Sequence, residues 1–349
     1  MGSFLGPQLD FSEDILRGAT GYIIKNAHGV FLWVHLIKGE LLKYSMRGTT
    51  KKRIFDFLKG LPMELEGLYE RMLGELEGGS EDAIVDGIKM FRFIFFGLQP
   101  PTVAELQHAL AVPDGPGDDV NEESFQDAMP IGIEKRIVHC GRNLLEIKGR
   151  EDDGTCSFPV ALAPMGLLLT ASIEPSVQVM HQTVRGFLLR PDGCAATSRF
   201  KANAKDAHTW IATICLRYPI LWATNTRPDE FPPIGSWETR HYEEYVRYLE
   251  CRKLINYALV STGRHMQEVK DSPGFEKCLA LVNMLARKLQ PRNPAIYVIG
   301  DWVRTTFGSD IREYAEAPQF KNQMIGVAVT IRFSDQNTVL RWCLSALAL

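Results

Sequence analysis

The chain has 349 residues, with 39 Lys and Arg against 42 Asp and Glu, a formal net charge of −3. Apolar residues make up 45 % and charged residues 23 %, which excludes a mostly disordered chain, because such chains lack the apolar surface that offsets ordering entropy. The near-neutral balance argues against a chain built mainly to bind polyanions, and the length leads to an expectation of two or three domains. The seven cysteines (Cys140, Cys156, Cys194, Cys215, Cys251, Cys278 and Cys343) form no C-x-x-C pair and no zinc-type spacing. An odd, scattered set suits reduced thiols in a cytoplasmic protein. The first fifteen residues carry no basic segment followed by an apolar run, so no secretory signal is expected, and Gly6 stands where myristoylation requires Ser or Thr.

Ile15, Ala19, Tyr22 and Ile23 predict a first helix, interrupted at Asn26-Ala27-His28-Gly29, where Gly29 suits a helix end. A second helix follows, with Val30, Val34, Ile37 and Leu41 on one face and Phe31 and Leu42 widening the stripe. Apolar residues on both sides imply burial between neighbours. Gly48-Thr49-Thr50 is a break, after which Ile54, Phe57 and Leu58 lead to Gly60-Leu61-Pro62. Leu61, Leu65, Leu68, Met72 and Leu76 stripe the next helix. Gly78-Gly79-Ser80 reads as the first linker.

Ile84, Ile88, Phe91, Phe95 and Leu98 mark a helix stopped at Gln99-Pro100-Pro101. Thr102-Val103-Ala104-Glu105 has the capping-box spacing, in which Thr accepts a backbone N–H and Glu reaches back. Leu106 and Leu110 continue that helix, and 113–123 reads as a Gly/Asp-rich loop. Met129, Ile133, Ile137 and Cys140 stripe a third helix over 131–142. Alternation at Leu145 and Ile147, and again at Val177 and Val179, predicts two strands, followed by a short helix from Thr183 to Leu189 that ends at Arg190-Pro191. Helix, helix, helix, strand, loop, strand, helix is the order of a winged-helix unit. Between the strands, 154–173 carries no charge, but Pro159, Pro164 and Gly166 suit a buried hairpin with a loop better than a membrane span.

Ala207, Ile211 and Ile214 stripe a further helix, 228–233 reads as a loop, and 242–260 as one long helical stretch. Phe275, Cys278, Val282, Leu285 and Leu289 mark another helix, broken at Gln290-Pro291-Arg292-Asn293-Pro294, with one or two short helices expected over 325–349. The expected fold is therefore mainly α: a helical bundle over 1–78, a winged-helix domain with a small β-hairpin over 80–191, and a helical array over 195–349.

No G-x-x-x-x-G-K-[ST] run exists, and Gly48-Thr49-Thr50-Lys51-Lys52 lacks the loop glycines that cradle phosphates. No apolar strand ends in paired acids for magnesium, and there is neither a G-x-S-x-G elbow nor an H-E-x-x-H run. No catalytic residue, cofactor or metal site is expected, and the chain alone is not expected to turn over ATP or GTP. His265 and Glu268, three apart, read as a solvated polar face; Cys140, next to His139, reads as a buried structural thiol. Lys135, Arg136 and Arg142 on the third helix are the candidate interaction residues. A DNA reader would add a basic wing, whereas in the wing region, Arg150 to Pro175, Arg150 is followed by Glu151-Asp152-Asp153. Protein or intramolecular contact is the first expectation and DNA binding the alternative.

Four ordered runs carry a family resemblance. They are His28-Gly29-Val30-Phe31-Leu32-Trp33-Val34; Leu61-Pro62 with Leu68-Tyr69-Glu70-Arg71-Met72-Leu73; Pro101-Thr102-Val103-Ala104-Glu105-Leu106; and His181-Gln182-Thr183-Val184-Arg185-Gly186-Phe187-Leu188. Over 10–190 the chain resembles the part that follows the nucleotide-binding core in fungal NACHT-type STAND NTPases, the NOD-like receptors of filamentous fungi. Its middle unit resembles the winged helix also named after GPI inositol-deacylase. Tyr248-Leu249-Glu250 and Leu254-Ile255-Asn256-Tyr257-Ala258 are similar to the helical region that leads to ankyrin repeats, and 325–344 is similar to one worn ankyrin unit.

The resemblance implies a cytoplasmic, non-enzymatic regulatory piece of a nucleotide-driven switch. Its partner would be a NACHT nucleotide-binding domain, in cis or in trans, rather than nucleic acid or a membrane. In related receptors a winged-helix His contacts the bound diphosphate. Met180-His181 matches that position, so the resemblance implies a phosphate-sensing role for His181 when a core is attached; the residues alone equally allow a helix cap. The P-loop and the magnesium-binding strand of the family are missing from this sequence, which begins where that core is expected to end.

Overall fold

The computed structural model describes residues 11–27, 30–46, 48–114, 121–149, 174–192, 194–225 and 238–288. Residues 115–120 of the expected 113–123 loop, the expected loop at 228–233, the uncharged 154–173 stretch, most of the wing, and everything beyond Lys288 lie outside the described residues. The architecture is mainly helical with one two-stranded antiparallel hairpin. The chain divides into two compact units, one formed by 1–91, 134–146 and 178–201, the other by 92–133, 147–177 and 202–349. Both Gly78-Gly79-Ser80 and the Pro191 break fall inside the first unit.

The first unit begins with α1 (Glu13–Asn26), α2 (Phe31–Met46), α3 (Lys51–Lys59) and α4 (Leu65–Glu77). Thr50, in extended backbone, caps α3 by accepting the Arg53 N–H at 3.4 Å. Ile54, Phe57 and Leu58 of α3 and Leu68, Met72 and Leu76 of α4 are buried, as their spacing predicts. On α2 the buried face overlaps the expected one only in part. Ile37 and Leu41 are inside as expected, but they are joined by Trp33 and Leu36, whereas Phe31 is 88 % exposed and Val30 is 38 % exposed. The helix is apolar nearly all round, so spacing alone does not choose a side. The Trp33 indole chooses it by donating Nε1–H to the Pro62 carbonyl at 2.8 Å.

The unit continues through α5 (Glu81–Phe96) as far as Phe91, then α8 (Ile133–Gly141) from Glu134, the 3₁₀ turn Arg142–Leu144, α9 (Gln182–Leu189) and the turn Cys194–Thr197. Gly87 of α5 is required by close packing: a Cβ there would lie 2.9 Å from both the Cys140 carbonyl oxygen and the Phe200 ring. Phe91 meets Phe200 edge-on at 5.8 Å.

In the second unit, α6 (Val103–Ala111) starts with the expected capping box. Thr102 Oγ1 accepts the Glu105 N–H at 3.1 Å and Glu105 Oε2 accepts the Thr102 N–H at 2.8 Å. A short helix that the sequence reading did not expect, α7 (Glu122–Asp127), starts at the end of the expected 113–123 loop. Asn121 caps it by accepting the Ser124 N–H at 2.8 Å, and the buried Phe125 anchors it among His108, Tyr218 and Trp222. The remaining helices are α10 (Ala204–Asn225), α11 (Thr239–Cys251), α12 (Ile255–Glu268) and α13 (Pro273–Lys288). Every residue of α10 from Trp210 to Trp222 is buried, as befits a helix apolar on all faces. The single helix expected over 242–260 is two, separated at Arg252-Lys253-Leu254. Arg252 lies over the Tyr248 ring at 4.2 Å and the Trp222 ring at 4.4 Å, contacts that fix this corner.

The strands are β1 (Leu145–Lys148) and β2 (Ser176–Val179). Within the second unit the backbone before α6 joins the β2 end: Thr102 bridges Ser176, Val103 N–H donates to the Pro175 carbonyl at 2.9 Å, and Val177 N–H to the Pro101 carbonyl at 2.8 Å.

Candidate functional site

The interaction face predicted on α8 is partly consumed by contacts of its own unit. Arg136 donates Nε–H to Asp86 Oδ2 of α5 at 2.7 Å, and both side chains are largely covered. Arg142 lies 3.8 Å from the Glu75 carboxylate of α4 and donates to the Glu75 carbonyl at 3.4 Å. Its φ of +51° is the left-handed region that a side chain adopts at a cost. Lys135 is exposed, beside the exposed Glu134. A DNA-reading helix needs its cations aimed at phosphate; two of these three are aimed at carboxylates of their own unit.

His181 is the residue before α9. Its backbone is extended, and its Nδ1 accepts the Thr183 N–H at 3.3 Å, so the imidazole caps the helix. Thr183 Oγ1 lies 2.8 Å from the same Nδ1 and 2.7 Å from the Tyr69 hydroxyl. With Nδ1 accepting, Nε2 carries the ring hydrogen, on an exposed side chain. Burial pushes the Tyr69 phenol above its ordinary value, against the bond from Thr183 that lowers it. Replacing an exposed cap of this kind costs about 0.5–1 kcal/mol. His181→Ala is therefore expected to leave the thermal midpoint of the chain within a few degrees of the parent. A drop beyond 10 °C, on the order of 3 kcal/mol, would make His181 a structural keystone instead.

Three of the four family-like runs meet inside the first unit. Trp33 of the first run bonds Pro62 of the second, Tyr69 of the second bonds Thr183 of the fourth, and the Tyr69 and Phe187 rings pack at 5.4 Å. Arg71 of the second run donates to the Gly60 carbonyl at 3.1 Å and covers the Phe57 ring at 5.0 Å. These residues position one another.

The two chemical pairs singled out in the sequence end differently. Cys140 is 1 % exposed, and burial pushes its thiol up to about 11, the wrong direction for a nucleophile. His139 is exposed. The solvated face expected at His265 and Glu268 is corrected: Glu268 is exposed, but His265 is 0 % exposed. His265 Nδ1 lies 2.9 Å from His208 Nδ1 of α10, and its Nε2 lies 2.9 Å from the Tyr257 hydroxyl. Burial, together with His208 and Arg264, holds its pKa down to about 3. A second pair in the same unit joins His108 Nδ1 to the Tyr218 hydroxyl at 2.6 Å, with the His108 pKa lowered to about 4, mainly by burial. Neither His208 nor Tyr218 announces these pairings in the sequence, since the partners lie 57 and 110 residues away.

Among the described residues no group of three or more His, Cys, Asp or Glu is placed to hold a metal ion. Cys140, Cys215, Cys251 and Cys278 are free thiols. No described helix is long and apolar enough to cross a membrane. No family model, no curated protein and no solved structure matches the chain.

Proposed function

We propose that this chain is a non-catalytic regulatory and scaffold segment of a STAND-type signalling NTPase. It would make protein–protein or intramolecular contacts of the kind found in a fungal NOD-like receptor, in the cytoplasm. The observation that carries this reading is the interlock of Trp33, Pro62, Tyr69, Thr183 and Phe187. Runs that resemble one family in order and spacing spend their polar groups on each other, as residues of a mechanical body do, rather than converging on a substrate. The partner in this reading is a NACHT nucleotide-binding domain, in cis or in trans. The exposed His181 carries Nε2–H, which would donate a charge-assisted bond to a docked phosphate.

The test is titration of the purified chain against the isolated nucleotide-binding domain of a fungal NACHT protein loaded with ADP or with a non-hydrolysable ATP analogue. Saturable binding that differs between the two nucleotides is the expected result. No binding in either state would overturn the reading. The alternative, a DNA-binding winged helix, predicts affinity for mixed duplex DNA that falls steeply with salt. The internal pairing of Arg136 and Arg142 weighs against it.

A further inference from the structure

Charge is divided unevenly along the first unit. Residues 11–60 carry nine Lys and Arg against four Asp and Glu, whereas 61–86 carry one against eight. Acids of the later stretch are met from within the unit. Glu66 pairs with Arg190, Glu75 with Arg71 and Arg142, Glu81 with Arg199, and Asp86 with Arg136. The cations of α1 and α3 are left over. Arg17 lies 3.9 Å from Glu13, but Lys25, Lys51, Lys52 and Lys59 are exposed and make no ion pair among the described residues.

These four lysines border one seam. α1 and α3 pack so closely that a Cβ on Gly18 would lie 2.8 Å from the Phe55 ring. On α3, Lys51, Lys52 and Lys59 stand four before, three before and four after Phe55, so they share its side of the helix. On α1, Gly21 and Lys25 follow Gly18 by one and two turns on the same side. A Cβ on Gly21 would meet nothing within 4 Å. Nothing in its own unit requires a glycine there, although glycine is a poorer helix residue than alanine. Ile24, 69 % exposed, borders that gap. The seam is thus an open strip with lysines on both helices and an aliphatic side chain beside it.

The arrangement is unfavourable in the free chain. Lys51, Lys52 and Arg53 occupy the first turn of α3 with no acid among them, where the helix dipole disfavours positive charge. An anionic partner removes that penalty. A flat anionic bilayer or a nucleic acid backbone fits less well, because Glu13, Asp14 and Asp56 are exposed on the same two helices and would face a continuous row of phosphates. A peptide places its carboxylates one by one and can set an aliphatic side chain against Ile24.

We propose that the α1–α3 seam is a docking surface for a protein segment rich in Asp and Glu. Its carboxylates meet Lys25, Lys51, Lys52 and Lys59, and an aliphatic side chain of the segment covers Ile24 and the gap at Gly21. The surface uses neither α8 nor His181 and needs no nucleotide.

The test is fluorescence anisotropy of a labelled peptide of Asp and Glu with two leucines, titrated with the full chain at low salt. Saturable binding is expected, and it should weaken about tenfold in Lys52→Glu/Lys59→Glu, where attraction becomes repulsion. Lys270→Glu/Lys277→Glu, which changes the net charge equally at exposed sites of the second unit, should bind as the parent does. No saturable binding by the parent, or equal weakening by the two double variants, would overturn the proposal. Tighter binding of single-stranded RNA or of phosphatidylserine vesicles than of the peptide would overturn the choice of partner. Should Lys52→Glu/Lys59→Glu fail to fold, Lys25→Glu on α1 is read in its place, with weakening expected and parental affinity contradicting the seam. The nucleotide-binding domain takes no part, so this outcome and that of the titration against it are independent.

Discussion

Trp33→Ala is expected to lower the stability of the chain by about 3–5 kcal/mol, the range for removing a fully buried large aromatic. Trp33 is 1 % exposed, so little of its surface can be recovered by water, and the cavity left behind adds to the lost transfer energy. The substitution also strips the Pro62 carbonyl of its donor, at about 1 kcal/mol. A shift in thermal midpoint on the order of 10 °C follows for a body of this size. Trp33→Phe separates the two contributions, because it keeps a ring and loses only the N–H. It should recover more than half of the loss. Calorimetry on the three proteins checks this. An alanine variant that melts within 2 °C of the parent, well under about 1 kcal/mol, would remove Trp33 from the scaffold.

Acidification is the second large effect. In the folded second unit His265 titrates near 3 and His108 near 4, both chiefly because burial disfavours the cation. In the unfolded chain both titrate near 6.5. Between those values the unfolded state binds more protons, so stability rises with pH and is lost as pH falls below about 6.5. At pH 5 His265 accounts for about 2 kcal/mol of that loss, and the less enclosed His108 for about 1–2 kcal/mol. Glu105 works in the opposite sense. Burial raises its pKa, so its carboxyl disfavours the fold at neutral pH and returns part of that stability as it protonates. The sum still falls toward acid, because the histidines begin to charge the unfolded state first. Urea denaturation at pH 7.5, 6.0 and 5.0 measures it; equal free energies at 7.5 and 5.0 would mean that the two rings are not held neutral.

The readable parts of this chain were those decided within a few residues. The capping box at Thr102 and Glu105 needs only a three-residue spacing and two side chains of the right length, and it stands as expected. The hairpin alternation at Leu145–Lys148 and Ser176–Val179 is equally local. What spacing missed was decided by distant partners. The face of α2 was ambiguous because both sides are apolar; a carbonyl 29 residues away settles it. The stop between α11 and α12 carries no Gly or Pro. It rests on Arg252 stacking over Trp222, an aromatic of another helix. The short α7 hides at the end of a Gly/Asp-rich run because its only apolar anchor is Phe125. His265 looked like surface because a lone polar residue on a helix usually is. Its burial depends on two partners, His208 and Tyr257, that satisfy both ring nitrogens. Of the interaction residues, spacing located the helix that bears Lys135, Arg136 and Arg142, but the acids that occupy two of them lie on α5 and α4.

The scaffold reading is tested most directly by phosphate release from Mg·ATP and Mg·GTP by the purified chain over several hours. The account predicts a rate indistinguishable from buffer, for the parent and for His181→Ala alike. Turnover that co-purifies with the chain and disappears on substitution of one of its own residues would contradict it.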